Sequence, residues 1–453
     1  MEKTYRIIQQ LTIKLFAGFI LATVLVADCL AQKSPSIISD DQTHTFLVNL
    51  IKPIFSVAGV SFDKNKIFII NDDSLNAFVS NGNYMFVHTG TIIAADNPNE
   101  LSGILAHETG HIAGGHIARQ KLRIEKLQTL SVASLLAAGA TAAASGRGDA
   151  ALAVMLGSQS TLINAMTSYQ MQEERSADES AVKYLDQTQQ SAIGLKNFIK
   201  KIQSHNRLGG YSETPYFRTH PLSVEREDFF NQAVSNNSHS SESPFDEEFK
   251  LIKAKLAAFL LPIERAQSMY PISDTSQAGM YANSIINYKK NNFAKSDNIL
   301  NQLIKQSPEN PYFHELKGQF LFERGQLKPA LKAYEKALKL KPNSPDIMLS
   351  WAHAALENPH NKTELQKIIA TLNQIQIDNP SSMAWLLLAR AYEENAQKAH
   401  ALYASAQYSI GIGNIKTAKK QIDSALAETS SESLKLKLND LKNFIIQKEE
   451  NGY

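Results

Sequence analysis

Three things are scarce in this chain, and each scarcity narrows what it can be. There is one cysteine, Cys29, in 453 residues. A disulfide framework is therefore excluded, and stability has to come from packing or from a bound metal. Net charge is nearly absent: 46 basic residues against 44 acidic ones leave +2, which gives no case for nucleic acid or a strongly acidic substrate. Uninterrupted apolar runs are also missing after the first thirty or so residues. The Ala-, Ser-, Leu- and Met-rich stretch 121–170 is broken by small and polar residues, Gly146-Arg147-Gly148-Asp149 among them, so it does not read as a membrane span. It reads either as two helices packed on the core or as a hairpin lying over a cleft or on a lipid surface. The length itself allows two or three domains, each able to bury its own core.

The N-terminus stands apart. Lys3, Arg6 and Lys14 precede an apolar run from Leu15 to Val26, and Cys29-Leu30-Ala31 places small residues at −3 and −1 of a cleavage site. Residues 1–31 are predicted to be a secretory signal peptide cut near Ala31. The apolar run is short for an uncleaved anchor, and Asp28 is poorly suited to lipid modification at Cys29. Cleavage removes the only thiol. An exported protein without disulfides suits a bacterial periplasm.

What is present is more specific. His107-Glu108-Thr109-Gly110-His111 is an H-E-x-x-H pentapeptide. Positions i and i+4 lie about 40° apart around a helix, so both imidazoles project from one face and can share a metal ion. Glu108 lies about 100° round from His107, at the edge of that face, where it can act on water beside a metal without ligating it. A helix is predicted here. Asn97-Pro98-Asn99-Glu100 is a start signal, with a capping Asn, Pro at the first position and Glu at the third. Leu101, Ile104, Leu105 and Ile112 recur at helical spacing, and Gly114-Gly115 offers a stop.

Two histidines do not complete a catalytic zinc site, which takes three protein ligands. One option continues the motif to H-E-x-x-H-x-x-G-x-x-H. Gly114 fits that frame, but Ile117 occupies its last position and His116 comes one residue early, on the wrong side of the helix. The other option is a downstream helical segment, Glu173 to Val182. There Glu174 and Asp178 share a face, with Ala177, Ala181 and Val182 for close packing. Glu174 would bind zinc, while Asp178 accepts the second N–H of a ligand histidine.

Around the motif, residues 66–71 read as a buried strand. Residues 76–80 and 84–88 flank Asn81-Gly82 as a hairpin. Residues 235–244 form a polar linker, in which His239 is a solvated loop residue. Beyond it the chain repeats. A 34-residue frame from Pro311 puts Gly318 at position 8, Ala330 at 20, Tyr334 at 24, Ala337 at 27 and Pro342 at 32, the tetratricopeptide pattern. A second frame from about Ala399 gives Ala406, Ala418, Ile422 and Ala425. Trp385, Ala389 and Tyr392 mark another first helix; 346–380 fits only with an extra residue, and 277–310 fits weakly. Trp351 and Trp385 are assigned to the core. Such an array presents a concave surface that docks a protein or peptide.

H-E-T-G-H at 107–111, E-R-S-A-D at 174–178, N-A-F at 76–78 before an aromatic strand, and R-T-H-P at 218–221 with Arg226 occur in that order. In this the chain resembles gluzincin zinc metallopeptidases of the heat-shock membrane protease and CAAX prenyl endopeptidase family. The signal peptide and the repeats are similar to those of its periplasmic branch. The resemblance covers almost the whole mature chain, although the repeats align loosely. It implies an α+β zincin-like metallopeptidase domain, mainly helical with a small sheet, followed by an all-α tetratricopeptide-repeat solenoid. The expected division is a signal peptide at 1–31, the peptidase at 32–234, a linker and connecting helix at 235–276, and repeats at 277–450. One Zn2+ on His107, His111 and Glu174 is implied, with Glu108 as general base and Arg226 close by. His220 is read either as an oxyanion stabiliser or as a latency plug approaching from a loop; from its residues alone it is equally an ordinary loop histidine before Pro221. Strand 84–88 is expected to be the edge that aligns extended substrate. The function so implied is periplasmic endoproteolysis of misfolded or misassembled proteins. The repeats would dock clients and the outer-membrane assembly machinery, and 121–170 offers peripheral membrane contact. A scaffold for outer-membrane proteins with a latent protease is the alternative; an extracellular digestive protease is weaker, because such enzymes gain little from a docking array.

Overall fold

The computed structural model describes residues 36–120, 122–123, 125–126, 148–208, 215–236, 239, 242–359, 361–378 and 380–450. The predicted signal peptide and residues 127–147 lie outside the described residues, as does part of the predicted linker. A short strand β1 (Ser36–Ile38) leads into helix α1 (Asp41–Val57), then β2 (Ile67–Asn71), β3 (Ala77–Ser80) and β4 (Tyr84–His88). Helices follow: α2 (Thr89–Ala94), α3 (Pro98–Ala113), α4 (Gly148–Gln187), α5 (Ile193–Leu208), α6 (Pro215–Thr219) and α7 (Val224–Asn236). Two connecting helices, α8 (Asp246–Leu260) and α9 (Ile263–Met269), precede the repetitive part.

The sheet runs β1-β2-β4-β3, with β2 and β4 parallel and the other pairs antiparallel. The predicted hairpin is β3–β4, turning through Asn81-Gly82-Asn83 with positive φ at Gly82 and Asn83. One face carries Phe68, Phe86 and Phe78 in register, their rings stacked 5.3 and 4.9 Å apart across three strands. The other face sends Ile67, Ile69, Ala77, Val79, Met85 and Val87 into the core. Strand 84–88 is thus an interior strand, paired on both sides, and not the expected edge. The edge beside α3 is β3, because the chain returns from the hairpin to pair with β2.

The solenoid consists of antiparallel helix pairs: α10 (Gln277–Lys289) with α11 (Phe293–Gln306), α12 (Pro311–Glu323) with α13 (Leu327–Leu340), and α14 (Pro345–Glu357) with α15 (Lys362–Asp378). After these come α16 (Ser382–Glu394), α17 (Lys398–Gly411), α18 (Ile415–Glu428) and α19 (Glu432–Glu450). The frame residues pack as their sizes require. A Cβ on Gly318 would stand 2.7 Å from the Tyr334 ring, and Ala330 and Ala337 are fully buried. The weak match at 277–310 is nonetheless a helix pair of the same 13 and 14 residues as α12 and α13. Ser284 and Ser296 occupy its small positions, and the Ser296 hydroxyl donates to the Ser284 carbonyl at 2.7 Å. Trp351 is buried; Trp385 is partly buried against Tyr403.

One hydrophobic core runs without a break from Phe46 through α8 to Phe320, so the first repeats share packing with the sheet-bearing part. Polar contacts reinforce the junction. Asp346 in α14 accepts from the Asp41 amide at 2.6 Å and the Ser39 hydroxyl at 2.7 Å, and Lys341 pairs with Asp41 at 2.8 Å. Among the described residues no helix is long and apolar enough to cross a membrane.

Candidate metal centre

Helix α3 begins as its sequence dictates. The Asn97 side chain accepts from the Glu100 amide at 3.1 Å, and Pro98 opens the first turn. Leu101, Ile104 and Leu105 are buried, but so is the motif face: His107 and Glu108 are 0% exposed and His111 is 6%. Helix α4 is what covers them. Ala177 and Ala181 are fully buried, and a Cβ on Gly110 would stand 2.9 Å from the Ala177 carbonyl oxygen. That close approach brings Glu174 and Asp178, both buried and well inside the 40-residue helix, beside the histidine pair.

The donor atoms converge. His107 Nε2 lies 3.0 Å from His111 Nε2, 3.3 Å from His220 Nδ1 and 3.4 Å from Glu174 Oε2. Glu174 Oε1 lies 3.3 Å from His111 Nε2 and 3.1 Å from His220 Nδ1. Four donors held about 2.05 Å from a zinc-sized cation at tetrahedral corners stand about 3.3 Å apart. Those separations match that spacing, and one ligand atom from each of the four residues lies within 4.8 Å of all the others, so the residues present suit a small cation.

The electrostatics point the same way. Burial opposes charge on Glu174, yet His220, His107 and His111 outweigh it and hold the carboxyl well below its usual range. Burial also opposes charge on His107, but Asp178 and Glu174 push it up to about 10. The pocket thus draws positive charge to His107, as a site suited to a cation would. Burial, with repulsion from His107 and His220, brings His111 down to about 3 in spite of Glu174.

Outside the donors, Asp178 Oδ1 sits 2.8 Å from His107 Nδ1, an ion-pair approach that falls short of regular hydrogen-bond geometry. Arg226 holds Asp178 with two bonds of 2.6 and 2.9 Å, pairs with Glu174 at 3.0 Å and donates to the Pro221 carbonyl at 2.7 Å. Burial raises Asp178, but His107 and Arg226 more than reverse this. The loop after α6 carries His220, whose ring stacks on Tyr216 at 4.6 Å and whose Nε2 stands 3.4 Å from Glu108 Oε1. Among the described residues neither Glu108 carboxylate oxygen has a hydrogen-bond partner of ordinary geometry, and burial pushes its pKa up against the pull of His220 and His107.

All seven predicted residues, His107, Glu108, His111, Glu174, Asp178, His220 and Arg226, meet in this one cluster. Two further members were missed. The Tyr216 hydroxyl is buried without a hydrogen-bond partner among the described residues, and its position four before His220, in a short helical run, was the available signal. His116, weighed only as a ligand, does not join the donor set but touches His111.

The sequence profile of Peptidase family M48 matches residues 41–232, and a TPR repeat profile matches 318–358. A beta-barrel assembly-enhancing protease of Escherichia coli K12 is 24% identical over 387 residues, covering 83% of this chain and 75% of that protein. Its Yersinia pestis counterpart is 22% identical, covering 78% and 74%. The mitochondrial metalloendopeptidase OMA1 of Schizosaccharomyces pombe is 33% identical over 78 residues, 17% of this chain and 23% of that one.

Proposed function

We propose that this chain, in which an M48 peptidase domain precedes tetratricopeptide repeats, is a zinc-dependent endopeptidase of the bacterial periplasm that cleaves misfolded or misassembled proteins. The observation that carries the proposal is the set of five donor separations, all between 3.0 and 3.4 Å, among His107, His111, Glu174 and His220. His107, His111 and Glu174 would hold the zinc. When bound, zinc supplies Lewis acidity, polarising a carbonyl and lowering the pKa of water.

The chain's own residues do the rest. Asp178 keeps the His107 tautomer that leaves Nε2 free to ligate, and Arg226 holds Asp178 in place. Glu108 carries a carboxylate whose pKa burial raises, suited to taking a proton from water and returning it to the leaving amine. An extended substrate adds to the free edge of β3 through main-chain hydrogen bonds. Substrate entry requires the His220 loop to withdraw, because its imidazole fills the fourth donor place and lies against Glu108. That position supports the latency role over oxyanion stabilisation.

The same arrangement favours a second reading, in which holding client proteins dominates and proteolysis rests. The shared name of the two bacterial relatives supports clients drawn from outer-membrane assembly, docked on the solenoid. Export rests on the basic, apolar and small-residue pattern of 1–31. Glu108→Gln is expected to keep its metal and to lose at least about 100-fold in casein cleavage; persistent cleavage overturns the assignment. His220→Ala should raise cleavage, and unchanged or lower activity counts against latency. If Glu108→Gln in the full chain still rescues client assembly in cells, the scaffold reading gains; if rescue is lost with cleavage, it fails.

A further inference from the structure

Helix α3 ends in a way the motif alone does not require. Gly114 caps it, Gly115 follows at φ +65°, in the left-handed region that favours glycine, and a new helical run starts at His116. His116 is thereby folded back and buried, 3% exposed, with its Nδ1 2.9 Å from His111 Nδ1 and the two rings nearly perpendicular at 81°. Space for that ring comes from the neighbouring glycine: a Cβ on Gly114 would stand 2.4 Å from His116 Nε2. His116 is absent from the converging donor set. It addresses the opposite nitrogen of a residue that belongs to that set.

We propose that His116 is a positioning residue for His111, its Nδ1 accepting the His111 Nδ1 hydrogen so that His111 Nε2 is left bare and aimed at the metal; this rests on the metal reading above. The logic is that of tautomers. A neutral imidazole has one N–H. If His111 ligates through Nε2, its hydrogen is on Nδ1, and among the described residues the nitrogen facing it at bonding distance is His116 Nδ1, 2.9 Å away. His116 then carries its own hydrogen on Nε2. Each ligand histidine is so braced by a different device, His107 by the Asp178 carboxylate and His111 by a second imidazole. The Gly114-Gly115 pair is the backbone means of delivering that imidazole, which explains why a histidine five residues beyond His111 serves although it points away from the ligand face of α3.

The test is zinc affinity, measured by competition against a chromogenic chelator on the full chain for wild type, His116→Ala and His116→Asn, with metal-free melting temperatures alongside. Asn Oδ1 falls where His Nδ1 does and keeps an acceptor. His116→Ala should bind zinc about 10–100-fold more weakly, with little change in metal-free melting, and His116→Asn should recover most of the loss. An alanine variant within about threefold of wild type, or an asparagine variant no better than alanine, overturns the proposal. Should His116→Ala not fold, His116→Asn decides alone: affinity within about threefold supports the proposal, and a loss of about tenfold or more sinks it. Absence of zinc from the wild type is a different outcome, which removes the metal reading itself.

Discussion

Replacing Arg226 by methionine is the perturbation whose cost the structure defines most fully. The guanidinium is buried and makes five polar contacts: two to Asp178, one to Glu174, one to the Pro221 carbonyl and a longer one of 3.5 Å to the His220 carbonyl. Methionine fills a similar volume but leaves two ionised carboxylates, both buried, facing the histidines alone. Removing one partner of a buried ion pair costs about 3–5 kcal/mol. For a unit of roughly 200 residues each kcal/mol lowers the melting temperature by about 2–4 °C, so the metal-free variant should melt about 6–20 °C below wild type. Circular dichroism melting of chelated and zinc-loaded protein is the assay. The gap should narrow when zinc is loaded, because the cation supplies part of the missing positive charge. Asp178→Asn in the same background should cost less than the sum of the two single changes, with a coupling of about 0.5–3 kcal/mol. A metal-free Arg226→Met protein melting within about 2 °C of wild type would refute the reasoning.

Other expectations concern the solenoid and its junction. Gly318→Ala puts a methyl 2.7 Å from the Tyr334 ring and should destabilise the repeats by about 1–3 kcal/mol, with metal affinity unchanged; an unaltered melt contradicts the packing argument. Glu315 lies beside Lys255, Asp40, Asp41 and Asp346, and burial with those acidic neighbours pushes it up from 4.5 to about 8. Between those values the folded chain holds a proton that the unfolded chain has lost. Its contribution to stability is therefore full below pH 4.5 and falls as pH rises to 8, by at most about 1.4 kcal/mol per pH unit. Glu315→Gln should flatten that slope and raise the melting temperature near pH 8; parallel curves for the two proteins would contradict it.

Legibility in the sequence followed periodicity and local chemistry. The start of α3 could be read because Asn97, Pro98 and Glu100 act within one turn, and the repeats because Gly318, Ala330 and Ala337 recur at a fixed period. Glu174 and Asp178 were findable from their spacing, and their order in the chain matched a known family. What could not be read was non-local. Strand order put β4 inside the sheet and β3 at its edge, a choice made by the crossover from β2 and invisible in either strand's own residues. Repeat 277–310 was nearly lost because Ser284 and Ser296 do the work that glycine and alanine do elsewhere. His116 was judged on an ideal helix, and the Gly115 turn takes it off that helix altogether.

The most direct test of the central claim is zinc content per folded chain, set against the Glu174→Ala variant. The account predicts about one zinc per wild-type chain and a large loss in the variant. Folded wild-type protein that holds no zinc when supplied with it, and whose hydrolysis of polypeptides survives chelation, would contradict it.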